Sequence, residues 1–317
     1  WRGAKSENIN RFTKDFENTE IVRLEQNYRS TSVILNAANA VIKNNQDRMG
    51  KELWTDQKEG EPISVYSAYN EDDEARYVVG SIQNWIGQGR SLDEVAILYR
   101  SNAQSRVLEE AILRDSLPYK IYGGLRFYER AEIKNAMSYL RLIYGREDDA
   151  AFERVINIPP RGIGAKTIDL IRAKAAEKSI SLWKACEELI DNDGLTSRAS
   201  QAIQGFMSSF NSLEDDTKDL PLRDIVDMAI ERSGLIEYHK KEAGEKGRTR
   251  VENLSELVGA ARDFEPDSFD DLEESALKMF IDHAALDAGD TQASEHESAI
   301  QLMTLHSAKG LEFPLVF

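Results

Sequence analysis

The sequence predicts an α/β domain built on a parallel sheet, with a large all-helical domain inserted into it. Three observations predict this. Apolar strand-like runs alternate with amphipathic helical runs up to about residue 122, the rhythm of strands joined by crossover helices. From about Phe127 to about Ser294, helical patterns follow one another almost without strands. Near Ala299 strand patterns return, so the helical stretch interrupts the α/β part instead of following it.

Taken in order, residues 21–28 (IVRLEQNY) read as a strand, and Ser30-Thr31 as the cap of a helix with Val33, Ile34, Ala37, Ala38, Val41 and Ile42 at helical spacing. Residues 62–69 (PISVYSAY) alternate like a strand, and residues 71–89 form an amphipathic helix with an acidic first turn. Residues 94–100 (EVAILYR) are continuously apolar, as in a strand buried on both faces. A helix over 105–116 and a strand over 119–124, ending in the Gly123-Gly124 turn, complete the first part. Helical patterns then occupy 132–144, 151–158, 166–177, 181–190, 198–213, 222–234, 250–264 and 272–286. Strands are expected again at 299–306 (AIQLMTLH) and 313–317 (FPLVF), with the domain boundaries near Gly123-Gly124 and near Gly289.

At roughly 150 residues per domain, 317 residues make about two domains, and 41% hydrophobic content is ample for a core. The 40 basic and 56 acidic residues give a net charge of -16, which excludes a basic nucleic-acid-binding shell but not a local groove lined by a few arginines. The lone Cys186 and four scattered histidines point to a reducing compartment and to no metal site. No apolar run reaches the roughly 18–20 residues of a membrane span, and no signal segment opens the chain. A cytoplasmic protein with no membrane partner is therefore expected. The chain opens at Trp1 without an initiator methionine and closes inside an apolar run, so part of a larger protein is expected.

Five constellations could carry chemistry. Trp1 and Arg2 can stack a base and hold a phosphate. Gln26, Tyr28 and Arg29 stand between a predicted strand end and a helix start, where ligands bind in parallel sheets; the ring can stack and the guanidinium can neutralise phosphate charge. Arg100, Asn102, Gln104 and Arg106 follow the next strand as a dense set of donors for a single-strand backbone. Residues 159–168 (PPRGIGAKTI) place Gly162 and Gly164 around Ile163, with Arg161, Lys166 and Thr167 beside them, a pattern for gripping duplex backbone without reading bases. Thr304, His306 and Ser307 are compact donors after the strand at 299–306, and Glu312 can accept from a sugar hydroxyl. Each has a plainer reading as a turn, a cap or a core-capping side chain. Residues 240–250 hold five basic and two acidic residues, while Asp263 to Glu297 holds twelve acids and one lysine. A GxxxxGK phosphate loop is absent from the sequence.

The motifs WRGA, LEQNYRST, ILYRSNAQSR, IYGGLRFYER, RGIG and LMTLHSAKGLEF stand in the order found in superfamily 1A DNA helicases of the UvrD/PcrA/Rep group, and the chain resembles that family along its whole length. The resemblance implies that residues 1–19 end domain 1A, that 20–122 and 295–317 are an incomplete RecA-like domain 2A, and that 123–294 are the inserted helical domain 2B. Trp1 and Arg2 are similar to the end of motif III, where the indole stacks on single-stranded DNA. Gln26, Tyr28 and Arg29 resemble motif IV, in which the tyrosine packs on adenine and the arginine reaches the γ-phosphate. Arg100 and Asn102 resemble motif IVa on the single-strand path. Thr304 and His306 resemble the DNA-contacting part of motif V, and Gly310 and Glu312 its nucleotide side. Arg161, Gly162, Gly164, Lys166 and Thr167 resemble a helix-hairpin-helix turn that touches duplex DNA.

The family implies ATP and Mg2+ as cofactors of the intact enzyme. It implies single-stranded DNA and single-strand/duplex junctions as partners, with repair proteins as a further partner class, and 3'-to-5' unwinding in DNA repair as the activity. The phosphate loop, the Mg-binding acids and motif VI fall outside this sequence, so the fragment alone is expected to be inactive. Two alternatives stay open at this point: a non-catalytic DNA-binding or partner-docking module, and a piece of a RecB-like helicase-nuclease.

Overall fold

The computed structural model describes residues 12, 15–16, 19–20, 22–45, 52–57, 59–122, 124–265, 275–289 and 297–317. Trp1, Arg2 and Gly123 lie outside them. The chain divides into two compact units, Trp1–Tyr69 and Asn70–Phe317.

In the first unit, Thr31 leads with extended backbone into helix α1 (Ser32–Lys43), which buries Leu35. Several connections hold residues 52–54 to the rest of this unit, among them a bond from Glu52 N to Glu25 Oε1 at 3.3 Å. Gln26 and Trp54 form a parallel bridge, with Asn27 N donating to Trp54 O at 2.7 Å and Trp54 N to Glu25 O at 3.1 Å. Asn39 clasps Leu53 by both backbone groups, at 2.8 and 3.1 Å. The strand expected at 21–28 is thus reduced to one bridge, and residues 62–69 form no strand. Alternation specifies a two-faced extended segment, but only a neighbouring backbone makes it a strand. Residues 62–69 lie in no strand or bridge of the described residues, and Val22 (74%), Leu24 (80%) and Val65 (91%) remain exposed.

The second unit opens with α2 (Glu71–Gly87). The Asn70 side chain accepts from Asp73 N at 2.9 Å, and four acids fill the first turn, where the helix dipole favours negative charge. Then come β1 (Val95–Tyr99), α3 (Ser105–Arg114) and β2 (Tyr119–Ile121). The helices α4 (Ala131–Tyr144), α5 (Asp149–Val155), α6 (Ala165–Lys178), α7 (Leu182–Asp191), α8 (Ser197–Thr217), α9 (Leu222–Ser233), α10 (Leu235–Lys240), α11 (Glu245–Asp263) and α12 (Ala276–Gly289) follow. The chain then returns to the sheet with β3 (Ile300–Thr304) and β4 (Leu315–Val316). The short α10 was not expected: Gly234, at φ +77°, reads as a helix terminator, and the chain resumes a helix directly after it.

The sheet order is β2-β3-β1-β4, and all pairs are parallel, with Ala96 opposite Gln301 and Tyr99 opposite Thr304. Two separate apolar cores result. One gathers Val78, Ile82, Val95, Ile97, Ile112, Ile300 and Leu302 around the sheet. The other runs through the helices, where Tyr139 stacks on Phe210 at 5.4 Å and Phe152, Trp183 and Phe206 pack edge-on or tilted beside them.

A polar seam joins α3, the start of α4 and α11. Arg130 donates to Asn102 O (2.9 Å), Asn253 Oδ1 (3.1 Å) and Ser105 Oγ (2.7 Å), and stands 3.8 Å from Glu109. Glu109 also accepts from Ser105 Oγ (2.5 Å), Phe127 N (3.2 Å) and Tyr119 OH (3.3 Å). Burial pushes the Glu109 carboxyl up and the Arg130 guanidinium down from their ordinary values, because both charges have left water.

A group whose folded pKa is raised contributes stability that is present below its unfolded pKa and is lost as pH rises toward the folded value. Glu109→Gln is therefore expected to gain stability relative to the parent as pH rises above the ordinary glutamate range, the difference vanishing in acid. Urea midpoints of the two proteins across that range check this; midpoints that stay parallel would show that Glu109 titrates as a surface carboxylate does.

Candidate nucleic-acid and nucleotide interface

Parallel strands end on the same side of a sheet, so whatever follows β1 and β3 exits at one edge. Tyr99 and Thr304 are opposite each other, and Leu305 N donates to Tyr99 O at 3.0 Å. Beyond β1, Arg100 N and Ser101 N both donate to Gln104 Oε1 at 3.1 Å, which folds residues 102–104 into a turn of 3-10 helix. This leaves Arg100 exposed, and its neighbour Asn102 is held by its carbonyl, which accepts from Arg130 and from Ser105 Oγ, each at 2.9 Å.

Beyond β3, Thr304 O accepts from Ser307 N (2.9 Å) and Ala308 N (3.1 Å), and Thr304 Oγ1 lies 3.0 Å from Ser307 Oγ. His306 is exposed on that turn. Arg100, Asn102, Thr304 and His306 are thus brought to one edge. Gly310 follows at φ +92°, a conformation that favours glycine, and turns the chain toward exposed Glu312 and β4.

Two members of the expected donor set are engaged elsewhere. Arg106 is 4% exposed, bonded to Glu256 at 2.6 Å and Glu110 at 2.9 Å. Burial opposes its charge, while the two carboxylates outweigh that and hold the guanidinium ionised. Gln104 closes the turn with its carbonyl. Arg106 is a structural group, because a side chain buried against acids cannot also face a strand of DNA, while Gln104 is exposed and commits its carbonyl to the turn.

Gln26, Tyr28 and Arg29 form their own group within the first unit. Asn27 Oδ1 accepts from Arg29 N (2.9 Å) and Ser30 N (2.8 Å), a side-chain turn that stops the extended segment just before α1. Gln26 Nε2 donates to Asp56 (2.8 Å), and Gln26 Oε1 accepts from Tyr28 OH (2.8 Å). The tyrosine is 76% exposed, so it does not cap a core; its ring is oriented by its hydroxyl and open to a flat partner. Arg29 is exposed beside it. An oriented, open ring next to an exposed guanidinium fits an adenine nucleotide.

The third group lies among the helices. Ile163 is buried (2%) as an anchor, while Gly162, Gly164 and Lys166 are exposed and Thr167 is half-buried. Gly162 is left-handed at φ +75°. Gly164 precedes α6 with ordinary extended backbone, no side chain caps the first turn of α6, and no acid stands in it. Lys166 forms no ion pair among the described residues.

Arg161 is turned inward. Its Nη1 donates to the carbonyls of Val155 (2.9 Å), Ile156 (3.3 Å) and Pro159 (3.1 Å), its Nη2 to Tyr139 OH, and its guanidinium lies 4.9 Å over the Phe206 ring. It shapes the turn by capping the end of α5. A group not anticipated from sequence, Arg198 at the start of α8, lies beside the turn. In the basic stretch 240–250, Lys240 pairs with Glu237 and Arg250 with Glu242, so part of its charge is neutralised locally. No described helix is long and apolar enough to cross a membrane.

The family of UvrD-like helicase C-terminal domains matches residues 22–317. DNA helicase II of Escherichia coli strain K12 is 57% identical over 100% of this chain and 44% of its own length. DNA helicase II of Haemophilus influenzae is 54% identical over 100% of the chain and 43% of its length. The ATP-dependent DNA helicase PcrA of Staphylococcus aureus is 42% identical over 100% of the chain and 43% of its length. The chain therefore spans less than half the length of these relatives. With its parallel sheet, its helical core and a family match over nearly every residue, the chain belongs to the UvrD-like helicase C-terminal domain family.

Proposed function

We propose that this chain works as part of an ATP-dependent DNA helicase that moves 3'-to-5' along single-stranded DNA and unwinds duplexes during DNA repair in the cytoplasm. The observation that carries the proposal is the shared edge of β1 and β3, where Arg100, Asn102, Thr304 and His306 stand together as donors for a single-strand backbone. The names of the relatives, DNA helicase II and PcrA, agree with it.

In this reading, residues 20–122 and 295–317 form an incomplete RecA-like domain 2A, and 123–294 the helical domain 2B, with 1–19 ending domain 1A. The separation into a sheet core and a helical core supports that division. Trp1 and Arg2 are assigned to the strand path by resemblance alone.

Tyr28 stacks on the adenine of ATP, Gln26 orients that ring, and Arg29 neutralises charge on the terminal phosphate. Gly310 and Glu312 sit on the nucleotide side of the segment that carries Thr304 and His306. ATP, with Mg2+ held by acids outside this chain, supplies the free energy of movement. This chain alone, without a phosphate loop, is expected neither to hydrolyse ATP nor to unwind DNA. At a single-strand/duplex junction, the turn of Gly162, Gly164, Lys166 and Thr167 grips the duplex backbone, Lys166 supplying charge and the backbone amides supplying donors. Arg161 holds the shape of that turn from inside.

In the intact helicase, Arg29→Ala is expected to slow phosphate release by about 10³-fold, the low end for an arginine at a transferring phosphate, while DNA affinity stays near the parent value. Equal losses in a phosphate-release assay and a filter-binding titration would defeat the assignment.

The two glycines of the turn should separate stability from binding. Gly162→Ala forces a β-carbon into left-handed backbone and is expected to cost about 1–2 kcal/mol in a denaturant titration. Gly164→Ala meets open space at ordinary φ and is expected to change stability by less than about 0.5 kcal/mol. It should nevertheless weaken binding to a tailed duplex, because its methyl stands between the amides and the phosphate. Unchanged binding would remove the turn from the duplex contact.

A further inference from the structure

The charge around the glycine turn does not come from one helix. Arg198 stands in the first turn of α8, far along the chain from Gly162, yet its Nη2 lies 3.7 Å from where a β-carbon on Gly162 would sit. Gly162 lacks that carbon and adopts φ +75°, so the guanidinium and the exposed backbone of the turn lie side by side.

Nothing in the fold accounts for the position of this side chain as a structural tie. Arg198 is exposed and makes no hydrogen bond or ion pair among the described residues. Capping of α8 is done by Thr196, whose hydroxyl accepts from Ala199 N at 3.4 Å. In a chain of net charge -16, most arginines of the helical core are tied up, as Arg146 is by Glu214, Arg232 by Asp216 and Arg250 by Glu242. Neither α6, which starts at the turn, nor α8, which carries Arg198, has an acid in its first turn, in contrast to α2 with four. A phosphate approaching Gly162–Gly164 therefore meets no opposing carboxylate from either first turn, and it meets two cations, Lys166 and Arg198, from different elements. Arg161, the arginine that sequence places beside the turn, is consumed by carbonyls and aromatic rings.

We propose that Arg198 belongs to the duplex-binding surface and takes a backbone phosphate of the strand that passes over the Gly162–Gly164 turn, next to the phosphate held by Lys166 and Thr167. This rests on the reading of the turn as a duplex grip. The planar guanidinium can meet two phosphate oxygens at once, so Arg198 fixes the angle of the backbone as well as attracting it. The contact reads phosphate and not bases, and is indifferent to DNA sequence.

The test uses the intact helicase and two probes, a duplex with a single-stranded tail and the same tail as a single strand, each titrated over a range of salt. Losing one phosphate contact makes the plot of log affinity against log salt shallower by about 0.9, which is about eightfold in affinity at about 0.1 M salt. Arg198→Ala is expected to show that change on the tailed duplex and none on the single strand. Arg198→Lys is expected to restore the slope, since the charge returns, but only part of the affinity, since the planar fork does not. Lys166→Ala serves as the control for the turn.

If Lys166→Ala flattens the slope and Arg198→Ala does not, Arg198 is excluded and the turn keeps its role. If neither variant changes the slope, the turn is not the duplex grip, and both readings fall. If Arg198→Ala weakens single strand and tailed duplex equally, the arginine acts through overall charge and the assignment is wrong.

Discussion

The parallel pairing of β1 with β3 is the constraint on which the second unit depends. Parallel neighbours cannot be joined by a tight turn; the chain must leave the sheet, cross and return in the same direction. Here the intervening chain is long enough to carry a core of its own, built on Tyr139, Phe152, Trp183, Phe206 and Phe210. The cost of closing so long a connection grows only slowly with its length, and the helices add their own burial to offset it. β1 is buried along almost its whole length and is apolar throughout, so chemistry is confined to its end, where the backbone leaves the sheet. Arg100 and Thr304 are neighbours for that reason alone.

Where the sheet side meets the helices, the contact is polar and charged. Arg106, Arg130, Glu109, Glu256 and Asn253 make a seam in which each buried charge has partners. Such pairs add little net stability, since desolvation offsets most of the attraction. Their effect is on orientation. Arg130 touches the carbonyl of Asn102, the side chain of Ser105 and α11 at once, so the turn that presents Asn102 is positioned by a residue at the start of the helical region. The edge proposed to hold a DNA strand is thereby fixed by the same side chain that joins the two cores.

The charge of -16 is compatible with a nucleic-acid surface because the cations at the proposed contacts are few and local. At the glycine turn they come from α6 and α8, whose first turns lack acids, while Arg161 supports the turn from within. Residues 263–297, with twelve acids, supply much of the negative balance and include no proposed contact.

By itself, the sequence determined the order of helices and buried strands, because apolar periodicity is local and survives without knowledge of neighbours; 95–99, 105–114 and 300–304 could be read directly. It also determined the family, through motifs whose order leaves little room for coincidence. Segments 21–28 and 62–69 show the limit of the pattern: alternation is a local property, whereas a strand requires a partner backbone. Within the second unit, which polar groups face outward was decided only by tertiary structure. Arg106 and Arg161 looked like DNA ligands from their positions beside Asn102 and Gly162, yet acids on α11 and carbonyls at the end of α5 engage them. Arg198 gave no local signal at all, because its place beside Gly162 brings together residues that are distant in sequence. Side-chain chemistry is written residue by residue, but the direction a long cation takes depends on which neighbours the fold brings within its reach.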